Sequence, residues 1–269
     1  MKEKRRKPPR LTRLQRMQAQ QPWCVYCGGS TLGVNVDHMP PVGAFDLRQR
    51  WAGMEYLSCE PCRLGTEKMD LVAGLFARLY STVPASEAVK AEIRAYFKGV
   101  GNNAPDVLKE MVVERDLRGT DPDSLNVLPE AAAIFSVGPI ADAYLSAFGA
   151  RVALALHYEL TNEIVPDSGG VFVHWMSNNV IARNEVPDAF LAMLGSPKTL
   201  KQGRKTLADQ FFYQSLAEDG GAKSAHFAAF RVSFAVQAFV VRDFNEMKHI
   251  VADLPTKVFR PGFLRGRHS

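Results

Sequence analysis

The spacing of apolar residues predicts short helices in the first part of the chain, separated by polar segments. Between Lys68 and Tyr80 the apolar residues recur every three or four positions, which is the period of an amphipathic helix. A second helix is predicted from Ser86 to Phe97, because Ser86 suits an N-cap. A loop is predicted from Gly99 to Pro105, where glycines and asparagines cluster. A further helix is expected from Leu11 onward.

The apolar runs become longer after about residue 137. Ile140 to Leu160, broken by Gly149, predicts a buried helix. Strands are predicted over residues 171–175, 210–216 and 227–241, and a short helix over 186–194. In the last strand every second residue from Phe230 to Val240 is apolar, which fits a sheet with one buried face. A helix followed by antiparallel strands indicates an α+β domain.

The four cysteines of the chain form two close pairs, Cys24-x-x-Cys27 and Cys59-x-x-Cys62, with 31 residues between the pairs. Each turn of this type directs two thiolates at one tetrahedral centre, so the two turns predict a four-cysteine zinc site. A redox-active Cys-x-x-Cys is the alternative, but that function would not need the second pair. A metal at the base of a small hairpin can replace a core too small to fold alone.

Asp37 and His38 lie between the two cysteine pairs, just after a strand predicted over 34–36. An imidazole titrates near neutrality and can act as a base, and a carboxylate suits a hard cation such as Mg²⁺. Neighbouring side chains on a regular strand point to opposite faces. We therefore expect the pair to lie where the strand ends and bends, an expectation that the following Pro40-Pro41 favours.

These three motifs together resemble the zinc-containing HNH endonuclease family, in particular phage HNH nucleases and the HNH-type Holliday-junction resolvase. The resemblance covers residues 22–80 and rests on CVYCGG at 24–29, VDHMPP at 36–41 and CEPC at 59–62. It implies a ββα-metal fold, with His38 as general base and Asp37 as a ligand of a catalytic Mg²⁺ or Mn²⁺ ion. The four cysteines would hold a structural zinc that takes no part in the reaction.

Arg63 departs from the family pattern, which has Asn or His directly after the last cysteine as a further ligand of the catalytic ion. A guanidinium has no lone pair to donate and would repel the ion. Three interpretations remain open. Glu67 or Asp70 supplies the missing oxygen, Arg63 binds the scissile phosphate directly, or the site is inactive and the module only binds nucleic acid.

The formal net charge is +5 and the sequence pI is about 9.0, which suits a polyanionic partner such as DNA. Basic residues are concentrated at the N-terminus, where a cationic tail can neutralise backbone phosphates. The predicted phosphate contacts are Arg5, Arg6, Lys7 and Arg10 in this tail, together with Arg63 and Lys68. The stretch Leu11–Met17 is broken by charges and does not suit a signal-peptide core, so we expect a cytoplasmic protein, where reduced thiols favour a metal site over disulfides. We see no apolar run close to the roughly 18 residues of a membrane span.

The predicted organisation has five parts. They are a basic tail over 1–20, an HNH zinc module over 21–80, a helical connection over 81–136, an α+β domain over 137–256 and a basic tail over 257–269. With 46% hydrophobic residues the chain can bury a sizeable core outside the zinc module. The first functional hypothesis is a metal-dependent endonuclease that cuts DNA, with the larger domain selecting the substrate or forming a homodimer. The alternative is a catalytically degenerate zinc module that binds nucleic acid or a protein partner.

Overall fold

The computed structural model describes residues 11–79, 86–111, 137–177, 188–246 and 256–266. Its helices are α1 (Arg13–Gln20), α2 (Glu60–Leu64), α3 (Glu67–Phe76), α4 (Glu87–Asn103), α5 (Pro105–Glu110), α6 (Pro139–Thr161) and α7 (Asp188–Met193). Its strands are β1 (Asn35–His38), β2 (Glu55–Ser58), β3 (Gly170–Ser177), β4 (Lys201–Gln202), β5 (Lys205–Thr206), β6 (Phe211–Ala217), β7 (Lys223–Phe230), β8 (Phe234–Val241) and β9 (Lys257–Phe259). The fold is mixed helix and strand, as the sequence predicts.

The cysteine-containing part of the chain is an antiparallel pair of strands followed by two helices. β1 pairs with β2 so that Asp37 lies opposite Tyr56 and His38 lies opposite Glu55. α2 begins directly after Cys59, with Pro61 in its first turn, where a missing backbone N–H costs nothing. The strand predicted over 34–36 is present as β1, one to two residues later, and the helix predicted from Lys68 to Tyr80 is present as α3, which begins one residue earlier and ends at Phe76.

A five-stranded antiparallel sheet forms the larger part of the protein, in the order β6-β7-β8-β3-β9. α6 packs across one face of this sheet, with Phe148 in edge contact with Phe230 at 5.3 Å between ring centroids. Gly149 allows the close approach, because a Cβ at this position would lie 2.7 Å from Cγ1 of Val173. The predicted buried helix and antiparallel sheet are confirmed, and Gly149 marks where they touch.

The strand predicted over residues 227–241 is wrong as a single element. β7 and β8 are two strands of a hairpin, and Phe230 lies directly opposite Phe234. Arg231 turns the chain with a positive φ of 56°. The alternation of apolar residues continues through the turn, because Phe230 and Phe234 stack at 4.6 Å while Val232 is exposed at the tip. The periodicity therefore gave no sign of the reversal.

The loop predicted from Gly99 to Pro105 is also wrong over most of its length. α4 continues to Asn103, and α5 begins at Pro105 after a single intervening residue. Val100 is fully buried, so tertiary packing holds the helix through residues of low helix propensity. Ser86 caps the start of α4 as predicted, accepting a hydrogen bond from the backbone of Val89 at 3.3 Å.

The segment expected as a basic C-terminal tail belongs to the folded body as far as residue 266. β9 pairs with β3 at the edge of the sheet. Leu264 is fully buried, and its carbonyl would lie 2.2 Å from a Cβ at Gly65, next to α2. One continuous hydrophobic cluster runs from Tyr26 in the cysteine module to Phe234 in the sheet. The two parts of the chain thus pack together through a shared core.

α6 satisfies the length and composition of a membrane span, which differs from the expectation that no apolar run approaches that length. However, 72% of its most apolar window is buried inside the protein, as in the core helix of a soluble protein. The cytoplasmic location stays a prediction.

Candidate metal centre and the buried acidic pair

The sulfur atoms of Cys24, Cys27, Cys59 and Cys62 all lie within 4.8 Å of one another, and all four residues are buried. The Sγ atoms of Cys27 and Cys59 are 4.0 Å apart. This is about twice a disulfide bond length and close to the roughly 3.8 Å edge of a tetrahedron of sulfurs around zinc. The cluster can therefore hold one metal ion, as the cysteine spacing predicts.

The local backbone brings the two cysteine pairs together. Gly28 and Gly29 have φ values of 71° and 68°, so the first turn uses the left-handed conformation that glycine adopts without strain. The backbone N–H of Cys24 bonds to the carbonyl of Thr31 at 2.8 Å, which closes this turn. Cys59 is the N-cap of α2, and Cys62 lies in the helix itself.

Arg265 from the C-terminal segment lies against the sulfur cluster. Its Nη2 donates to Sγ of Cys27 at 3.0 Å. Hydrogen bonds from Cys24 and Cys62, followed by the charge of Arg265, lower the pKa of Cys27 to about 2. Contact with Cys27 raises the pKa of Cys24 to about 12. Arg265 therefore places a positive charge beside the four-sulfur cluster.

The guanidinium of Arg151 lies between the carboxylates of Asp37 and Asp70. Nη2 of Arg151 contacts both oxygens of Asp37, at 2.6 and 2.7 Å, and Nη1 contacts Oδ1 of Asp70. The Arg151 side chain is fully buried in α6. Two predicted ligands of a catalytic ion therefore converge on one point, and a guanidinium occupies that point.

The electrostatics of this triad follow from its burial. Desolvation opposes the charge of Arg151, but the carboxylates of Asp37 and Asp70 outweigh it, so the pKa of Arg151 lies well above its ordinary value. Desolvation, partly offset by Arg151, raises the pKa of Asp70 to about 7. One guanidinium thus faces two carboxylates, and the second of them gains a proton near neutral pH.

Tyr26 connects the cysteine cluster to this triad. It lies between Cys24 and Cys27 and is fully buried. Its hydroxyl donates to Oδ2 of Asp37 at 2.6 Å, and its ring lies 5.6 Å from the guanidinium carbon of Arg151. A metal that fixes the cysteine turn would therefore also fix the Tyr26 hydroxyl, which donates a hydrogen bond to Asp37.

His38 and Asp37 do not share a partner. His38 is the last residue of β1, and its Nε2 lies 3.5 Å from Oε1 of Glu55 on the neighbouring strand. Glu55 also pairs with Arg13 of α1. Burial, together with Arg50, lowers the pKa of His38, so the imidazole is neutral near pH 7. The predicted bend comes after His38, so Asp37 and His38 are both in the regular strand, and their side chains point to opposite faces.

Arg63 and Glu67 pair with each other on the surface of α2 and α3. Arg63 binds Glu60 at 2.7 Å and Glu67 at 3.2 Å. Glu60 in turn accepts from Nδ2 of Asn35 at 2.7 Å. Of the two predicted substitutes for the missing ligand, Asp70 therefore lies beside Asp37 and Glu67 does not. Lys68 is exposed on α3.

The predicted phosphate contacts in the N-terminal tail, Arg5, Arg6, Lys7 and Arg10, lie outside the described residues. Two other arginines that could have served this role instead hold loops together. Arg50 donates to five backbone carbonyls between residues 39 and 54. Arg78 is buried and bonds to the carbonyls of Gly74 and Phe45. In the long connection between β1 and β2, both guanidinium groups donate hydrogen bonds to backbone carbonyls that are not paired within a helix or strand.

Arg151 is the site residue that the sequence reasoning missed. The signal was a single charged residue between Ala150 and Val152, inside a helix predicted to be buried. A fully buried charge requires a partner of opposite charge. The sequence could have indicated that some acidic residue pairs with Arg151, but it did not contain the identity of that residue.

No family model, curated protein or solved structure matches the chain. Membership of the HNH family therefore stays a prediction from the cysteine pairs and the Asp37-His38 motif.

Proposed function

We propose that the protein binds DNA through a zinc-stabilised, HNH-like module and does not hydrolyse it. The contact that carries this proposal is the buried guanidinium of Arg151 between Asp37 and Asp70. In an HNH-like nuclease the carboxylate at position 37 would bind a divalent ion. Here both oxygens of the same carboxylate accept hydrogen bonds from Arg151.

A catalytic cation does not fit this arrangement. Mg²⁺ needs near-octahedral oxygen ligands at about 2.1 Å. To provide them, Asp37 and Asp70 would have to release Arg151, which would leave a buried guanidinium without a partner, at a cost of several kcal/mol. Arg63 also contributes no ligand, because a guanidinium has no lone pair to donate, and its side chain pairs with Glu60 and Glu67 on the surface. We therefore derive no hydrolytic step through a bound divalent ion.

Zinc is the metal that best fits the four-cysteine cluster, because tetrahedral four-sulfur sites of this closed type are structural zinc sites. With all four thiolates as ligands, no position remains open for a substrate or water. We propose that the ion stabilises the β1–β2 module and keeps Tyr26 against Asp37.

The distribution of charge favours DNA as the partner. Positions 1–10 contain six basic residues and one acidic residue. Their net charge of +5 equals the net charge of the whole chain. Subtracting these from the totals of 33 and 28 leaves 27 basic and 27 acidic residues for the rest of the chain. The whole cationic excess therefore precedes α1 and the proposed zinc module in the sequence. Such a segment can exchange its counterions for backbone phosphates.

The decisive experiment measures DNA binding and DNA cleavage on the same preparation. Wild-type protein is mixed with supercoiled plasmid and either Mg²⁺ or Mn²⁺, and a gel-shift assay is run in parallel. We expect retention of DNA, no nicked product, and weaker retention after deletion of residues 1–10. Nicking that is lost in His38→Ala would overturn the non-catalytic proposal. A wild-type protein that retains no DNA would overturn the choice of partner.

A metal-dependent HNH endonuclease is the second candidate, and His38 is the observation that favours it. The imidazole is neutral near pH 7 and its side chain is 38% exposed, as a general base requires. If Arg63 alone disables an otherwise intact site, Arg63→Asn should create or raise cleavage. We expect no gain, because Arg63 pairs with Glu60 and Glu67 and does not contact Asp37.

A further inference from the structure

A small hairpin of β4 and β5 presents an all-exposed surface. Lys201 pairs with Thr206 and Gln202 pairs with Lys205, and every residue from 201 to 206 is exposed. Gly203 makes the turn with a φ of 61°, and no atom lies within 4 Å of where its Cβ would be. The space around Gly203 at the tip is therefore open.

The base of this hairpin is firmly anchored. Leu200 and Leu207, which flank it, are 3% and 5% exposed, and the N–H of Leu207 bonds to the carbonyl of Leu200 at 3.2 Å. Just before the hairpin, Lys198 exchanges two backbone hydrogen bonds with Tyr213 of β6, both at 2.8 Å. An exposed tip on an anchored base is typical of a loop that binds a partner.

The charge of the hairpin is of one sign. Residues 198–206 contain four basic residues and no acidic residue. Those four residues are Lys198, Lys201, Arg204 and Lys205. None of them forms an ion pair with a carboxylate in the part of the chain that the structure describes. Because positive and negative residues are equal in number after residue 10, this local excess stands out from the rest of the folded chain.

The hairpin adjoins the cysteine module. A Cβ on Gly53 would lie 3.5 Å from Cδ2 of Leu200, so the base of the hairpin touches the β1–β2 connection. Gly53 also lines a groove of about 670 Å³ together with Arg13 and Arg16 of α1. Gly53 therefore lies close both to Leu200 at the base of the hairpin and to the groove that α1 lines.

We propose that the β4–β5 hairpin is a second DNA-binding element, whose Lys201, Arg204 and Lys205 contact the phosphate backbone of duplex DNA. This inference rests on the proposed function, because it extends a DNA-binding surface from the zinc module. A two-stranded ribbon can follow a groove of B-form DNA while its basic side chains contact phosphates. Contacts of these side chains with phosphates contribute affinity and carry no sequence preference of their own.

The test compares two charge-matched triple variants of the full chain. The first is Lys201→Gln/Arg204→Gln/Lys205→Gln. The control removes the same charge from α4 as Lys90→Gln/Arg94→Gln/Lys98→Gln. Binding to a fluorescent duplex is measured by anisotropy between about 50 and 200 mM salt. Circular dichroism and zinc content show whether each variant keeps its fold.

We expect the hairpin variant to lower the slope of log affinity against log salt by about 2 to 3, since each lost phosphate contact changes it by about 0.9. Its affinity at about 100 mM salt should fall at least ~10-fold, while the control changes little. An unchanged slope, or an equal loss in the control, would overturn the inference. If deletion of residues 1–10 weakens binding and the hairpin variant does not, the inference fails but the proposed function stands. A wild type without DNA affinity overturns both.

Discussion

Arg151, on the central helix α6, holds both carboxylate oxygens of Asp37, on the first strand of the cysteine module. The two residues are 114 positions apart in the chain. The contact joins the two parts of the protein through a charge pair that is shielded from water. It also uses the carboxylate that an HNH-like nuclease would give to its metal ion.

Removal of this guanidinium should destabilise the protein strongly. Arg151→Ala leaves Asp37 and Asp70 facing each other without a counter-charge, and breaking a buried pair in this way costs about 3–5 kcal/mol. The free energy of unfolding from urea titration measures the loss. Arg94→Ala, an exposed arginine on α4, is the matched control and should change stability by less than about 0.5 kcal/mol. A loss of similar size in both variants would mean that the triad contributes no more to the free energy of unfolding than an exposed arginine does.

The same variant tests whether the guanidinium stands in for a cation. In Arg151→Ala the two carboxylates are free to bind Mn²⁺ or Ca²⁺, so either ion should raise the melting temperature of the variant. Wild-type protein should show no such shift, because Arg151 already occupies the position. A wild type that is stabilised by Mn²⁺ as strongly as the variant would contradict this account of the site.

Metal removal should unfold the cysteine module. We expect one zinc per chain by elemental analysis, and we expect a chelator or Cys62→Ser to remove both the metal and much of the stability. Apparent zinc-binding energies of about 10 kcal/mol or more make this a large effect. Loss of zinc should also expose residues 24–62 to protease before the sheet. A fully stable protein without zinc would contradict the prediction.

Arg265 should slow the loss of that metal. Its N–H···S contact with Cys27 places a positive charge beside a cluster of thiolates, and such outer contacts typically change metal affinity by about 10-fold or more. Arg265→Ala should therefore release zinc faster to a chromogenic chelator, at unchanged circular dichroism. Arg204→Ala, at the exposed hairpin tip, is the control for a simple change of net charge. Equal release rates for the two variants would assign no role to Arg265.

Much of the fold followed from local sequence patterns, and most of the site depended on contacts that are distant in sequence. The buried helix α6, the strand β3 and the cysteine cluster could be predicted, because each is encoded by spacing within a few residues. The β7–β8 turn at Arg231 could not, since alternation of apolar residues continues unbroken across a tight hairpin. Helix α4 extends through Gly99 and Gly101 because packing at Val100 outweighs propensity.

The site shows the same division between local and distant information. Asp37 and Asp70 could be singled out as candidate ligands, since they lie near the cysteine pairs in sequence, and the structure places both against Arg151. Their shared partner, Arg151, lies 81 positions from Asp70 and 114 positions from Asp37 in the chain, and no spacing rule connects them. A charge in the middle of an apolar helix signals only that a partner exists. Which acidic residue fills that role is determined by the tertiary fold.

Two buried histidines should make the protein sensitive to acid. Ser224 Oγ lies 2.7 Å from Nδ1 of His157 and 2.7 Å from Nε2 of His226. His226 also bonds to Ser215 at 2.8 Å. Burial, together with Arg242, lowers the pKa of His157 to about 4, and burial, together with His157, lowers that of His226 to about 3.

The sign of the effect follows from these directions. Both pKa values are lower in the folded state than the ordinary value of 6.5, so the unfolded chain binds more protons between pH 6.5 and about 4. The contribution of the two neutral histidines to the free energy of unfolding is therefore fully present above pH 6.5. It falls as the pH drops, by up to about 3 kcal/mol for each histidine at pH 4. Asp70 contributes the opposite trend between about pH 4 and 7, because its folded pKa is raised.

A comparison of variants separates the two trends. The free energy of unfolding is measured from pH 7 to pH 4 for wild type and His226→Asn, and the difference between the curves removes the contribution of Asp70. We expect His226→Asn to lose less stability on acidification, whatever its stability at pH 7. Ser215→Ala is the control, because it removes a hydrogen bond but keeps both imidazoles, and so retains the acid sensitivity. Parallel curves for wild type and His226→Asn would show that His226 does not titrate on unfolding in this range.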